Sequence, residues 1–560
     1  MRKRILWLLA GVLFAIGAVV AYRHYIPVPP DEIAELIAQG GVRMLRDSMR
    51  PLESDRRVLV FALDGVGRDE FLRAVQQPSA KHLRQILGVH ERDGKLKQAY
   101  NANDVLSILP STTMAAWASV YTGAPPAETG VAGNEWFDRE QRRFFAPAPV
   151  SLTDSRHTAE MLTDGLVGRN VRVPTLFELA GLRSFVSLAP VYRGADLFTT
   201  PRPESIATLF ADVAAGLTDD RPAAQDLYSA IDEESVDTVL SVLRERGAPQ
   251  IQVVYFPGVD LYTHVAADPL RNQVRYVSNV IDRQVGRVVS TYRQLGALEN
   301  TYILFVADHG HTPVINDDRH SLGMGEEDEP TALIERLGFR LRPFVLEPGG
   351  DQQDYSAAVA YQGAMAYLYL ADRTTCPDRG ASCDWSRPPR FREDVLPLAR
   401  AFFKVNQSGN PIPQLKGTLD LILTREPERS GRKARPFQVI QRDALLSIPE
   451  YLRRYPRPDL LRFAERMNWL AEGPHGNHAG DIVLLSRSGM ERPMEDRFYF
   501  SGRYHSWHGS PSAQDSRVPL VVARFGDSSD HLAALCAPVL GESPSLLRVT
   551  PLIRRLLKGE

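Results

Sequence analysis

Residues 58–65 read VLVFALDG, a short apolar run that ends in an acidic residue and a glycine. Two further runs have the same form: IQVVYF at 251–256 is followed by Asp260, and YILFVA at 302–307 is followed by Asp308. Continuous runs rich in Val, Ile and Phe are typical of strands buried on both faces of a sheet. The sequence therefore predicts a sheet whose strand ends carry carboxylates.

The segment between the second and third runs predicts how these strands are connected. Apolar residues recur there at spacings of three and four, the pattern of an amphipathic helix: Val274, Val277, Ile281, Val285, Val288, Tyr292 and Leu295. A helix between two strands is the βαβ unit of a parallel sheet. With further strand candidates at 184–188, 481–485 and 519–523, we predict an α/β fold around a mostly parallel sheet.

The N-terminus differs from the rest of the chain. Three basic residues at 2–4 precede an uncharged apolar run from Ile5 to Tyr22. This pattern predicts a single membrane anchor with the N-terminus in the cytoplasm and the body exported to the periplasm. A cleaved signal peptide is the alternative, because Val19-Val20-Ala21 resembles a cleavage site. Charge is otherwise balanced, with 66 Lys and Arg against 68 Asp and Glu, which gives no indication of nucleic-acid binding.

Composition also divides the chain. We expect a membrane anchor at 1–25, a linker at 26–54, a catalytic core at 55–345, an inserted cap at 346–478 and the C-terminal part of the core at 479–560. The cap contains Cys376 and Cys383, which flank a short loop and predict a small disulfide in an oxidising compartment; two unpaired thiols are the alternative. Cys536, among alanines and leucines, is expected to be an inert buried thiol.

Carboxylates and imidazoles cluster where an open α/β sheet binds its ligands, at the carboxyl ends of strands. One aspartate after a strand is usually a turn residue, but three of them with two nearby histidines indicate a metal site. His264 follows Asp260 by four residues, so one helical turn lets both face one point. Asp308 and His309 are adjacent, and Gly310 permits the sharp turn that both would need. Mixed ligands of this kind suit zinc or a similar divalent ion.

A possible nucleophile lies in the stretch Pro110-Ser111-Thr112-Thr113, where a helix is predicted to begin and to end near Gly123. Hydroxyls at a helix start are ordinarily N-caps. The same place, however, offers free backbone N–H groups and the positive end of the helix dipole, which bind phosphate. A threonine alkoxide beside a metal ion is a competent nucleophile.

Together these stretches resemble the alkaline-phosphatase superfamily, and within it the type I phosphodiesterase/nucleotide pyrophosphatase and threonine-dependent phosphatase branches. The resemblance implies a three-layer sandwich with a cap. It also implies hydrolysis of small phosphate esters through a phospho-threonine, with two divalent metals, most often zinc. The matching motifs occur in the family's order across residues 58–525: FALDGVG, TTMAAWASVYTG, GVAGNEWFD, VDLYTH, VADHGH, WHGSP and RVPLVV.

The resemblance also assigns roles to single residues. Thr113 is implied as the nucleophile, held against the first metal, and Asn134 as the phosphate-contacting asparagine. The first metal would be bound by Asp64, Asp308 and His309, and the second by Asp260, His264 and His508. His508 is preferred over His475, His478 and His505 because His508-Gly509-Ser510-Pro511 precedes a predicted strand. His311 is expected behind the ligands.

One departure from the family pattern affects the substrate. Phosphatases of the monoesterase branch carry a Lys-x-Arg motif, whereas this chain has Val191-Tyr192-Arg193, with an arginine and no lysine. Arg193 is predicted either to bind a phosphate oxygen or to be a solvated loop residue. With one cation fewer, a monoanionic diester is at least as plausible a substrate as a dianionic monoester. Two alternatives remain, a phosphoryl-group transferase acting on envelope lipids or glycans and a degenerate binding module.

Overall fold

The computed structural model describes residues 41–559, apart from 91–93, 149–154, 203–224, 324–329, 344–353, 379, 428–434 and 443. The predicted anchor at 1–25 and the first part of the predicted linker lie outside the described residues. Across the described ranges, no helix combines the length and the apolar character needed to cross a membrane.

The α/β architecture is confirmed, and it is built on an eight-stranded mixed sheet. Its five central strands run parallel, and the other strands pair antiparallel at its two sides. The order across the sheet is Val42–Met44, Leu197–Thr199, Ser184–Ser187, Ile251–Phe256, Arg57–Leu63, Thr301–Ala307, Leu520–Ala523 and Ala99–Asn101.

The three opening runs of the sequence form neighbouring strands of this sheet. Arg57–Leu63 lies between Ile251–Phe256 and Thr301–Ala307, in register with both, so Leu63 pairs with Phe256 and Ala307. Every residue of the two flanking strands is buried, as expected for strands covered on both faces. The three strands therefore end at one edge, which brings the acidic residues that follow them together.

Helices connect the strands. The predicted amphipathic stripe forms a continuous helical segment: Pro269–Tyr276, a π-helical turn at Val277–Ile281, and Asp282–Gln294. The remaining α-helices of the described residues are Arg68–Gln76, Lys81–Leu87, Thr113–Thr122, Pro126–Thr129, Ser155–Thr163, Leu166–Asn170, Leu176–Ala180, Gln225–Arg246, Gly258–Val265, Pro330–Arg336, Leu396–Ser408, Ile448–Arg454, Phe463–Ala471, Ala513–Ser516, Ser529–Leu540 and Val549–Lys558.

A second sheet of six antiparallel strands occupies the predicted cap. One face, with Tyr367 and Tyr369, joins the main core, while the other, with Ala366 and Leu368, packs in a separate core with the helix Leu396–Ser408. The strand order is Ala357–Gln362, Met365–Leu370, Ile482–Ser486, Leu419–Thr424, Gln438–Gln441 and Ala444–Ser447. Three two-stranded ribbons complete the strands: Trp136–Asp138 with Arg143–Phe145, Thr312–Pro313 with Ser506–Trp507, and Ser321–Leu322 with Tyr499–Phe500.

One strand that the sequence predicted for the main sheet belongs to this second sheet instead. The strand predicted at 481–485 is present as Ile482–Ser486, but it pairs with Met365–Leu370 and Leu419–Thr424 of the second sheet. All of its residues are buried. A fully buried apolar strand has the same sequence pattern at the centre of either sheet, so the pattern could not indicate its neighbours.

The cysteine predictions are confirmed. Cys376 and Cys383 form a disulfide. Cys536 is a free, buried thiol, and burial raises its pKa to about 12. Since the thiolate is the reactive form of cysteine, this thiol is inert at neutral pH.

Candidate metal centre and nucleophile

The first group of predicted ligands forms at the edge shared by two neighbouring strands. Asp64 follows Arg57–Leu63, Asp308 follows Thr301–Ala307, and with His309 they place their ligand atoms within 4.8 Å of one another. His309 Nε2 lies 3.7 Å from Asp64 Oδ1 and 3.4 Å from Asp308 Oδ2. All three side chains are buried.

In Asp64 and in Asp308, one carboxylate oxygen accepts a hydrogen bond and the other is left without one among the described residues. The Gly65 N–H donates to Asp308 Oδ1 at 2.9 Å, and the Tyr255 hydroxyl donates to Asp64 Oδ2. The remaining oxygens, Asp64 Oδ1 and Asp308 Oδ2, are the atoms nearest His309 Nε2. The backbone and Tyr255 therefore orient both carboxylates towards one point.

The second group combines a helix with a distant loop. Asp260 and His264 lie one turn apart on the helix Gly258–Val265, with His264 Nε2 3.4 Å from Asp260 Oδ2. His508, which follows the short strand Ser506–Trp507, completes a group whose ligand atoms lie within 4.8 Å of one another. Among the four predicted candidates, the structure brings His508 to this group.

Backbone carbonyls fix the orientation of the imidazoles. His264 Nδ1–H donates to the Ser506 carbonyl at 2.9 Å, and His508 Nδ1–H donates to the Ser111 carbonyl at 3.1 Å. In the neutral imidazole each bond directs the free Nε2 at the group, as in metal-ligating histidines with an outer hydrogen-bond partner. His311, expected behind the ligands, has Nε2 2.7 Å from Asp260 Oδ1 and Nδ1 3.0 Å from Ser506 Oγ. It also forms, with Asp260 and His309, a third group whose ligand atoms lie within 4.8 Å of one another.

Four predicted ligand atoms have no hydrogen-bond partner among the described residues, although they are buried: Asp64 Oδ1, Asp308 Oδ2, His264 Nε2 and His508 Nε2. Buried polar atoms in folded proteins almost always have a partner. Two carboxylate oxygens and two imidazole nitrogens directed into shared space form a donor set that suits divalent metal ions. The residues present therefore fit a metal centre.

The electrostatics of the first ligand group also favour a metal ion. Burial, together with the nearby carboxylates of Asp308 and Asp260, raises the pKa of Asp64 well above its usual range. Burial raises the pKa of Asp308 to about 7 and lowers that of His309 to about 3. A divalent cation offsets the repulsion among these carboxylates and binds imidazole in its neutral form.

Thr113 and Asn134 lie beside the first group. Thr113 begins the helix Thr113–Thr122, and its Oγ1 lies 3.2 Å from His309 Nε2. The predicted helix end is also confirmed, since Gly123 caps it with a φ of 74°. Asn134 Oδ1 accepts from the Met114 N–H at 3.0 Å. The start of this helix therefore brings together the candidate nucleophile Thr113, the candidate phosphate-contacting residue Asn134 and the first ligand group.

Arg193 is engaged elsewhere. Its Nε and Nη2 donate to the Glu178 carboxylate at 2.9 and 3.0 Å. The other three N–H groups donate to the carbonyls of Gly168, Val171 and Val173. All five donors of the guanidinium are used in this network, and the structure does not bring Arg193 to the metal centre. The sequence could not predict this hydrogen-bond network, because three of its acceptors are backbone carbonyls, whose positions depend on the fold.

Among the described residues, the side chains of the other three histidine candidates belong to none of the ligand groups. His478 Nδ1–H donates to the Gly130 carbonyl at 2.7 Å, and its Nε2 lies 3.5 Å from Asp138 Oδ2. The rings of His475 and His478 are tilted at 39° to each other, with centroids 5.6 Å apart. His505 Nε2 contacts the Asn316 amide at 3.2 Å.

Two residues near the site were missed by sequence reasoning. Tyr255 lies in the strand Ile251–Phe256 and pairs with Ala62, two residues before Asp64. The register of these two strands is the signal that could have placed Tyr255 near Asp64. Gln362 accepts from the Asn134 N–H at 2.7 Å from a position 228 residues away. No local pattern of the sequence indicates that contact.

Residues 58–327 match the family model for type I phosphodiesterase / nucleotide pyrophosphatase. Alkaline phosphatase PafA is similar in structure, at 13% identity, covering 91% of this chain and 97% of that one, with a TM-score of 0.51. No curated protein sequence matches this chain.

Two further solved structures are similar at lower scores. Murine ectonucleotide pyrophosphatase / phosphodiesterase 5, an inactive variant in complex with AMP, is 12% identical, with 90% of this chain and 95% of that one covered and a TM-score of 0.48. Phosphonoacetate hydrolase from Sinorhizobium meliloti 1021, in complex with phosphonoformate, is 18% identical, with 92% and 98% covered and a TM-score of 0.46.

Proposed function

We propose that this chain, whose residues 58–327 match the type I phosphodiesterase / nucleotide pyrophosphatase model, is a member of the alkaline-phosphatase superfamily. We further propose that it is a two-metal hydrolase of phosphate esters with Thr113 as its nucleophile. The observation that carries this proposal is the convergence of both ligand groups on the start of the helix Thr113–Thr122. Thr113 Oγ1 lies 3.2 Å from the ligand atom of His309.

The chain's own residues suggest how metals would be held. Asp64, Asp308 and His309 would bind one ion, and Asp260, His264 and His508 the other. We propose zinc, because mixed carboxylate and imidazole ligands are those it prefers. When bound, such ions supply Lewis-acid stabilisation of the negative charge on the phosphoryl oxygens and of the threonine alkoxide.

Thr113 and Asn134 have complementary tasks in the proposed reaction. Thr113 Oγ1 forms a bond to phosphorus while the bond to the leaving-group oxygen breaks on the opposite side, and water later hydrolyses the phospho-threonine and restores the hydroxyl. The side-chain oxygen of Asn134 is committed to the Met114 N–H. Its NH₂ group has no acceptor among the described residues, so it is the part available to donate to a phosphoryl oxygen.

The charges around Thr113 favour a diester. Within the described residues, no lysine or arginine forms a hydrogen bond or ion pair with Thr113, Asn134 or the six ligands. A dianionic monoester brings one more negative charge than a monoanionic diester, and among the described residues no lysine or arginine bonded to these groups is placed to meet it. We therefore propose a preference for diesters or pyrophosphate linkages.

We also propose that the chain acts outside the cytoplasm, anchored by residues 1–25. Support comes from the disulfide between Cys376 and Cys383, since structural disulfides persist in oxidising compartments and are rare in the cytosol.

The function is tested with the purified, zinc-loaded chain and two substrates, bis(p-nitrophenyl) phosphate and p-nitrophenyl phosphate. We expect chelator-sensitive hydrolysis with a higher kcat/KM for the diester. Thr113→Ala should lower kcat by about a thousandfold or more. Thr112→Ala is the matched control, since its buried hydroxyl has no hydrogen-bond partner among the described residues. Full, chelator-insensitive activity in Thr113→Ala would refute the proposal, and a large monoester preference would refute the diester assignment.

A further inference from the structure

The tip of one hairpin in the second sheet reaches the metal centre. The hairpin joins Ala357–Gln362 to Met365–Leu370, with Gly363 at a φ of 68°. The Ala364 N–H donates to the carbonyl of the ligand residue His508 at 3.0 Å. A Cβ at Gly363 would lie 2.1 Å from that same carbonyl oxygen. The close approach therefore requires glycine, and the turn lies directly against the backbone of a ligand.

The side chain of Gln362 extends from this turn to the loop that carries Asn134. Its Oε1 accepts from the Asn134 N–H at 2.7 Å, and its Nε2 donates to the Glu135 carbonyl. Gln362 is only 1% exposed, so water does not compete for these bonds. The loop is shaped to receive the amide, since a Cβ at Gly133 would lie 1.9 Å from Gln362 Oε1.

From Asn134 the contacts continue to the nucleophile helix. The Asn134 side-chain oxygen accepts from the N–H of Met114, the residue after Thr113. Gln362 therefore holds the backbone of Asn134, while the Asn134 side chain is fixed against the start of the helix Thr113–Thr122. These contacts hold the Asn134 NH₂ group, the part proposed to donate to a phosphoryl oxygen, in one orientation.

We propose that Gln362 is a positioning residue for Asn134, so that the second sheet sets the geometry of phosphoryl recognition in the main domain. The inference rests on the proposed function. Replacing the amide by an apolar group of similar size leaves the Asn134 N–H buried without an acceptor, and the loop must move to satisfy it. A displacement of about 1 Å in a positioning group can lower the rate on the order of a hundredfold.

A double-mutant cycle tests this role. Gln362→Met is made in the wild-type chain and in Asn134→Ala, and kcat/KM for bis(p-nitrophenyl) phosphate and the Kd of inorganic phosphate are measured for all four zinc-loaded proteins. We expect Gln362→Met to lower kcat/KM by about 10- to 100-fold in the wild type, but by less than about threefold when Asn134 is absent. Phosphate affinity should show the same non-additivity.

Gln438→Met, at a half-buried position of the same sheet, controls for a general loss of cap stability, and Tm is recorded for every variant. If Gln362→Met does not fold, Gln362→Ala, which also removes the acceptor of the Asn134 N–H, replaces it under the same criterion. An equal effect of the Gln362 variant in both backgrounds would overturn the inference while leaving the hydrolase intact. If the wild type hydrolyses neither ester, the proposed function fails, and the phosphate-binding arm of the cycle still decides the role of Gln362.

Discussion

The hydroxyl of Tyr255 donates to Asp64 Oδ2 across the two central strands of the main sheet. This bond leaves Asp64 Oδ1 directed at the shared ligand position. Buried partners behind a metal ligand typically change metal affinity by about 10- to 100-fold. Tyr255 is therefore a support of the proposed first metal, although it is not itself a ligand.

Tyr255→Phe removes this hydroxyl and keeps the ring. We expect the affinity for the zinc ion bound by Asp64 to fall by about 10- to 100-fold, because Asp64 loses the partner that orients it. Competition with a chromophoric chelator measures this change. Tyr292→Phe is the control, since the buried Tyr292 hydroxyl has no hydrogen-bond partner among the described residues. Equal zinc affinity in both variants would contradict the supporting role of Tyr255.

Metal content distinguishes the proposed ligands from other buried histidines. We expect about two zinc ions per wild-type chain and about one in His508→Ala, because the second group then keeps only two ligands. His478→Ala should retain about two, since His478 contacts Gly130 and Asp138 instead. Elemental analysis after dialysis gives the number of zinc ions per chain. Equal zinc content in the two variants would reject His508 as a ligand.

Removal of zinc by a chelator should also lower Tm. A ligand whose free concentration is a hundredfold above its Kd stabilises the folded state by about 2.7 kcal/mol.

Arg193 is predicted to act on stability rather than on substrate. Arg193→Ala removes five hydrogen bonds to Glu178 and to three carbonyls. We expect the free energy of unfolding to fall by about 1–3 kcal/mol, with kcat/KM unchanged. Denaturant titration and steady-state kinetics measure the two effects. Arg169→Ala, which breaks an exposed pair with Asp164, should cost less than about 1 kcal/mol. A raised KM in Arg193→Ala would contradict this prediction and indicate that Arg193 binds the substrate.

Asp232, which is not a proposed metal ligand, predicts a pH dependence of stability. Burial raises its pKa to about 7 in the folded chain, although Tyr276 and the Gly258 N–H donate to it. In the unfolded chain its pKa is about 3.9. Between these values the unfolded state ionises while the folded state stays protonated, so this group's stabilising contribution is complete at low pH. It is lost as pH rises to about 7.

Asp232→Asn keeps the shape of the side chain and removes the titration. Relative to the wild type, its free energy of unfolding should therefore rise by about 2–3 kcal/mol between pH 5 and pH 8. Urea denaturation of both proteins at each pH gives the difference directly. A difference that stays constant with pH would show that Asp232 is already ionised in the folded chain at pH 5.

Local sequence patterns were sufficient for much of this site. Apolar runs ending in Asp64 and Asp308 predicted strands, and the register then placed both carboxylates at one edge. The spacing of Asp260 and His264 matched one helical turn. These features depend on the few residues on either side of each position, which is why the sequence alone could predict them.

Contacts between distant segments were not predictable in this way. The bond of Gln362 to Asn134 and the acceptors of Arg193 depend on which backbone groups the fold brings near. The placement of Ile482–Ser486 in the second sheet has the same origin, because hydrophobicity indicates burial and does not identify the neighbouring strand.

The position of Leu520–Ala523 has a consequence for biosynthesis. This strand lies between Thr301–Ala307 and Ala99–Asn101, so a nascent chain that has not reached residue 520 leaves the backbone edge of Thr301–Ala307 unpaired. An exposed apolar edge is a template for association with other chains. The main sheet is therefore protected only once residues 520–523 have been synthesised, and products truncated before this strand are expected to aggregate.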